Sequence, residues 1–267
     1  MALELLTAIS TTLIFAALLS HPQPASSHGP AGEFSYKEGS PDGPEDWGML
    51  RPEWAACGQG RMQSPIDLSA AAVKIVVGLE EVHGAYMPSN ATLVNTGHSI
   101  EVAWVGGAGG IQIDGTTYFL KQCHWHWPSE HKIDGQRFSL EIHMVHESAD
   151  NKIAVVGVLY EYGMPDTFLT KMEGYIRALG KTYNATEAVG VVDPREVRGG
   201  SGGCYNYMGS LTAPPCTEGV SWIVMHQVKT VSRSQVEMLK TAVSDKEGLN
   251  ARPIQPTNFQ EVELHLP

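Results

Sequence analysis

The chain has 267 residues, 42 % of them apolar and 18 % charged. This composition excludes general disorder and supports a packed core, as one large domain or two small ones. A formal net charge of −11 argues against nucleic acid and anionic membranes as partners and is silent about a small neutral substrate.

The first residues read as an address. An apolar run over 13–19, extended by a weaker stretch from Leu5, is followed by Pro22 and Pro24 and the small residues Ala25, Ser26 and Ser27. That is the layout of a cleaved signal peptide, with removal between 20 and 27. The run is too short to span a bilayer, so no stable membrane insertion is expected. It departs from the usual pattern in one respect: the segment before it carries Glu4 and no Lys or Arg. The expected organisation is a leader over 1–27 and one domain over 28–267. The chain is expected in the secretory pathway, outside the cell or in a plastid or other secretory-derived compartment. The four cysteines, Cys57, Cys123, Cys204 and Cys216, include no Cys-x-x-Cys pair, which speaks against a cysteine zinc site. In an oxidising compartment they permit one or two bridges. Two sequons, at Asn90 and Asn184, offer glycan acceptors. The sequence says nothing about oligomeric state.

In chain order, 28–48 is rich in Gly, Pro and acidic residues and reads as an extended arm. Segments 92–95, 100–105 and 111–113 have strand character, punctuated by the glycines of 106–110. Segments 140–145, 153–160 and 220–224 are richer in Val, Ile and Met, as buried strands are. Asp166 can cap a helix that places Phe168, Leu169, Met172, Ile176 and Leu179 on one side and ends at Gly180. Ser232 or Ser234 can cap a second, running to about Val243. Many strands and few short helices define a mainly β single domain around one central sheet. The topology of that sheet does not follow from the pattern.

The centre of the chain holds a histidine cluster. In a strand, His124 and His126 share a face about 7 Å apart along the chain. Asp134-Gly135 is a hairpin signal, after which 138–146 returns and can bring His143 beside the pair. Three neutral imidazoles with one open position form a catalytic rather than a structural zinc site. His146 has the opposite parity and is expected to point away, while His131 lies at the turn, within reach of a metal. His124-x-His126-x-x-x-Glu130 also resembles the first metal motif of cupins, but no second cupin motif follows.

Five ordered segments resemble the alpha-type carbonic anhydrases: 63–68 (Gln-Ser-Pro-Ile-Asp-Leu), 122–131, 141–146, 210–216 and 221–224. The resemblance runs from about residue 34 to 255. It implies a large, mostly antiparallel central sheet and the reversible hydration of carbon dioxide to bicarbonate. It also implies zinc as cofactor, held by His124, His126 and His143, and hydroxide made available because zinc lowers the pKa of its water to about 7, carbonic anhydrase being the type case. Gln122 and Glu141 then accept hydrogen bonds from ligand imidazoles. Thr212 accepts from the hydroxide and passes its own proton to Glu130. Val145, Val155, Leu211, Thr212, Ala213 and Trp222 receive the substrate. His98 resembles the proton shuttle, a task that suits the side chain whose ordinary titration lies nearest neutrality. Tyr36 resembles a tyrosine beside the water chain, and Arg252 a structural arginine. Cys57 and Cys216 match a bridge of secreted members, and Cys123 reads as a buried thiol. Ala213 stands where many members have a second Thr, and Thr96 where an Asn often lines the water network. The competing reading is a binding or storage protein on the same fold that has lost catalysis.

Overall fold

The computed structural model describes residues 33–69, 73–77, 84–198, 202–243, 248–258 and 260–267; the expected leader lies outside these. The strands, in chain order, are β1 (Asp67–Leu68), β2 (Val73–Val77), β3 (Ser89–Asn95), β4 (Ile100–Trp104), β5 (Gly110–Ile113), β6 (Thr116–His126), β7 (Lys132–Ile133), β8 (Gln136–Arg137), β9 (Leu140–Ser148), β10 (Ile153–Tyr162), β11 (Thr186–Val192), β12 (Cys204–Ser210), β13 (Glu218–Met225), β14 (Lys229–Val231) and β15 (Val262–Leu266). Twelve of them form one sheet with the path β11-β3-β4-β6-β9-β10-β13-β12-β15-β2, to which β14 adds at β10 and β5 at β6. Most pairs are antiparallel; β13 and β14 lie parallel to β10, and β2 parallel to β15. The remaining three strands make a small separate sheet, β1-β7-β8.

The Asp134-Gly135 turn closes the β7–β8 hairpin, both residues having positive φ (49° and 77°) as a two-residue hairpin of this kind requires. This hairpin is an excursion between β6 and β9, which pair directly with each other.

Alternation along the strands sorts side chains into two layers. On β10, Ala154, Val156, Val158 and Tyr160 join the larger core, and Val155 and Leu159 the smaller one on the opposite face. Helix α1 (Thr167–Leu179) buries Phe168, Leu169, Met172, Ile176 and Leu179, and helix α2 (Arg233–Ala242) buries Val236, Met238, Leu239 and Ala242, all against the larger core. The caps are those of the sequence reading. Asp166 accepts from Leu169 N at 2.9 Å, Gly180 ends α1 at φ 65°, and Ser232 rather than Ser234 caps α2 in a full capping box with Gln235.

The described part of the arm is not simply extended. Phe34, Tyr36 and Trp47 are buried with Trp54, Cys57, Ala213 and Cys216 in a third cluster, and the Trp47 indole donates to Ser35 O at 3.0 Å. Aromatic burial outweighs the Gly and Pro content that suggested an open segment.

Candidate metal centre

In the β6–β9 pair, His124 stands opposite His143 and His126 opposite Glu141. Cross-strand partners share a face, so the three histidines converge on the side away from the helices. All three are buried. One nitrogen of each lies within 4.8 Å of the others, and the ring centroids are 4.6 to 5.4 Å apart. Cys123, Trp125, Ile142 and Met144 alternate with them into the larger core.

The second nitrogen of each ring sets its tautomer. His126 Nδ1 lies 2.7 Å from the carbonyl oxygen of Asn250. A carbonyl only accepts, so Nδ1 carries the proton and Nε2 is the lone-pair nitrogen. Glu141 Oε1 accepts from His143 Nε2 at 2.9 Å, which turns His143 Nδ1 to the cluster. Gln122 Oε1 takes the same role for His124 Nδ1 at 2.8 Å. Burial depresses the His126 pKa and keeps that ring neutral. Burial pushes the Glu141 carboxyl up, but His131 and His143, through charge and hydrogen bonds, outweigh it and hold it well below the usual range. Three imidazoles with outer acceptors are the donor set that zinc takes. His131, Glu141 and His143 also come close enough to hold an ion. There, however, Glu141 Oε1 already accepts from two imidazoles, so we assign that group to the hydrogen-bond network.

Glu141 is the hub of this network. Its Oε2 accepts from the backbone N–H of Glu130 and of His131, both at 2.8 Å, and its Oε1 accepts from His131 Nδ1 at 2.7 Å. His131 Nε2 then accepts from the Tyr207 hydroxyl at 2.6 Å, and that hydroxyl from Ser64 Oγ at 2.8 Å; Ser64 Oγ in turn accepts from Ser210 N at 3.0 Å. Gly157 on β10 pairs with His143 on β9, and a Cβ there would sit 3.0 Å from Glu141 Oε1. A side chain at 157 would crowd the hub.

Glu130 is buried, its Oε1 accepting from Arg252 N at 2.8 Å and its Oε2 lying 3.5 Å from His126 Nε2. Thr212 is buried in the segment after β12. Among the described residues no hydrogen bond joins it to Glu130. Arg252 donates to Gln63 Oε1, Ser64 O and Cys57 O at 2.8 to 2.9 Å, and burial lowers its pKa to about 10.

Val145, Val155, Leu211 and Trp222 belong to one cluster. Val155 pairs with Val145 on one side and Trp222 on the other, and the Trp222 ring stands 4.8 Å from that of His143. Ala213 is packed apart from them, with the arm and the Cys57–Cys216 bridge, which is formed. Cys123 and Cys204 are buried free thiols. His98 is 5 % exposed, with Phe34 stacked on its ring at 4.3 Å and Tyr36 edge-on at 5.7 Å. The Thr96 hydroxyl closes the His98 loop, donating to Ser99 O and accepting from Ser99 N. It is thereby committed to the loop itself. His146 lies on the helix side, its Nε2 taking the Tyr86 hydroxyl at 2.8 Å. Asn90 and Asn184 are both exposed.

The sequence reading missed Asn250, Tyr207, Ser64 and Glu101. Glu101 is the cross-strand partner of His124 and is half-buried on the same face; burial raises its pKa to about 7. Its parity with His124 could be read once β4 was known to pair with β6. Nothing local marks Asn250, which arrives from 124 residues beyond His126.

These features define a cluster of three imidazoles able to hold a metal ion, on one face of a large, mostly antiparallel sheet. The family profile of the eukaryotic-type carbonic anhydrases matches residues 42–265. Alpha carbonic anhydrase 7 of Arabidopsis thaliana is 49 % identical over 253 residues, covering 94 % of this chain and 92 % of its own length. Dioscorin DB3S of Dioscorea polystachya is 46 % identical, covering 95 % and 94 %. Among solved structures, dioscorin complexed with ascorbate has a TM-score of 0.84 at 46 % identity, covering 87 % of this chain and 98 % of its own. The alpha-carbonic anhydrase from Thermovibrio ammonificans, in complex with sulfanilamide, has 0.78 at 36 %, covering 86 % and 98 %. The chain belongs to the alpha carbonic anhydrase family.

Proposed function

We propose that this chain is a zinc-dependent carbonate dehydratase, hydrating carbon dioxide reversibly to bicarbonate and a proton. The observation that carries this reading is the histidine triad whose second nitrogens are all held by acceptors. Zinc held by His124 Nε2, His126 Nε2 and His143 Nδ1 would supply hydroxide at neutral pH. Gln122, the Asn250 carbonyl and Glu141 fix the rings. Glu130, anchored by the Arg252 N–H, would accept a hydrogen bond from the Thr212 hydroxyl once the two close up, which leaves the Thr212 oxygen to accept from the nucleophile and orient it. Val145, Val155, Leu211 and Trp222 offer an uncharged linear substrate a dry wall, with Ala213 next in the chain to Thr212 but packed against the bridge. His98 passes the proton outward, and its Phe34 stack has to open for it to reach solvent. The chain acts in the secretory pathway after loss of its leader, a compartment that suits the Cys57–Cys216 bridge.

Dioscorins among the relatives favour a second reading, a binding protein on the same fold. Stopped-flow hydration of carbon dioxide on the purified mature chain, beside His143→Ala and a metal assay, separates the two. The enzyme reading expects about one zinc per chain and activity that disappears in the variant. Zinc bound without activity would leave the binding protein.

A further inference from the structure

β11 is one end of the twelve-stranded sheet. It pairs with β3 on one side, and among the described residues no strand pairs with the other. A free edge is a template for pairing with a second chain, and proteins protect it with bulges and charges. A register shift between Ala188 and Gly190 breaks this edge into two short runs. The first, 186–188, carries Glu187. The second, 190–192, carries no charge, and its Val191 is 69 % exposed. The opposite edge, β2, also exposes apolar side chains, Ile75 and Val77, but it carries a charge among them: Lys74 pairs with Glu263 at 2.6 Å and Glu261 at 3.4 Å.

Asn90 stands beside the unguarded run. It is the cross-strand partner of Val191, and on its other side its carbonyl accepts from Val105 N at 2.8 Å. Val105 is 60 % exposed. Partners in a row share a face, so the Asn90 side chain lies between two exposed valines. Thr92, which completes the sequon, is on the same face, with Ala91 buried between them.

We propose that Asn90 carries an N-linked oligosaccharide whose first sugars lie over Val105 and Val191 and cover the uncharged half of the β11 edge. The donor is a polyprenyl-diphosphate-linked oligosaccharide. Asn90 Nδ2 bonds to C1 of its first N-acetylglucosamine and loses one proton; the C1–O bond breaks and its electrons leave with the diphosphate. The sugar supplies a polar cover over apolar strand surface. Asn184 is the internal comparison. Its sequon is as exposed, but it sits in a left-handed turn (φ 58°) ahead of the run that Glu187 already guards.

The test uses the chain secreted from a eukaryotic host, with peptide mass spectrometry for occupancy and sedimentation velocity for self-association. The expected result is an occupied Asn90. Asn90→Gln, and Thr92→Ala, which keeps Asn90 but destroys the sequon, both self-associate at least tenfold more tightly than the parent. Asn184→Gln does not, and adding Val191→Lys to Thr92→Ala restores the parent's behaviour. An unmodified Asn90 peptide overturns the proposal. So do two Asn90-sequon variants that sediment like the parent, or an Asn184→Gln that associates as strongly. None of these readouts involves hydration activity, so the proposal stands or falls apart from the catalytic reading.

Discussion

His146 and Glu101 face opposite sides of the sheet, and their burial acts on stability with opposite signs. Burial lowers the His146 pKa from 6.5 to about 4. Between those values the unfolded chain binds a proton that the folded chain refuses, so this contribution rises with pH. Burial raises Glu101 from 4.5 to about 7. Between those values the folded chain keeps a proton that the unfolded chain loses, so this contribution falls as pH rises. Each shift is worth roughly 3 kcal/mol over its range, and between pH 4.5 and 6.5 the two nearly cancel. In metal-free protein, His146→Gln should therefore tilt the profile toward lower stability at higher pH, and Glu101→Gln toward higher stability. Urea unfolding at pH 4.5, 5.5 and 6.5 reads the slopes; parental slopes in both variants would refute the pair. The two residues also differ in how far the sequence reveals them. His146 could be turned away from the metal by parity alone, because it lies on the same strand as His143. Glu101 needed the β4–β6 register, which depends on contacts between strands that no local pattern encodes.

At the scale of elements, the helices were the most legible part. Asp166, Ser232 and Gly180 are local stop and start signals that act on their own backbone, and the stripe from Phe168 to Leu179 needs only one buried face to be recognised. What remained hidden was the partner of each element. The two N-termini are tied by Gln235, whose Oε1 accepts from Asp166 N and Ser232 N while its Nε2 donates to Asp166 O and Thr170 Oγ1, at 2.8 to 3.2 Å. A local reading sees Gln235 only as a capping-box residue. Gln235→Ala leaves buried Asp166 backbone groups without these bonds and should cost about 2 to 4 kcal/mol. Because the helices pack on the face away from the histidines, metal content and hydration rate should not change. A thermal melt with a metal assay checks both, and a stability loss below about 1 kcal/mol would show that the tie is dispensable. The parallel β10–β13 contact was hidden for the same reason as Glu101: it joins segments more than 60 residues apart.

Across the whole molecule, the Cys57–Cys216 bridge does more than close a loop. Its ends are 159 residues apart, and restricting so long a loop in the unfolded chain is worth about 4 to 5 kcal/mol in the chain-entropy account. It also gathers remote segments around Glu130. Cys57 O accepts from Arg252 and Cys216 O from Gln63 Nε2, while Gln63 Oε1 accepts from Arg252, whose own N–H holds Glu130. The histidine triad touches this set at two points, the Asn250 carbonyl and the Glu130 N–H on Glu141, but its own strands β6 and β9 are adjacent and carry the acceptors Gln122 and Glu141. The paired replacement Cys57→Ser with Cys216→Ser should therefore separate two properties. Stability should fall by about 3 to 5 kcal/mol, and hydration should drop at least tenfold as Thr212 and Glu130 lose their common anchor, while the zinc content of the folded fraction stays near that of the parent. Urea unfolding, stopped flow and a metal assay on one preparation read all three. If zinc is lost together with activity, the bridge supports the triad itself and the two halves of the site are not independent. If activity survives with the stability loss, the bridge acts only on the unfolded chain, and the Arg252–Glu130 anchor holds without it.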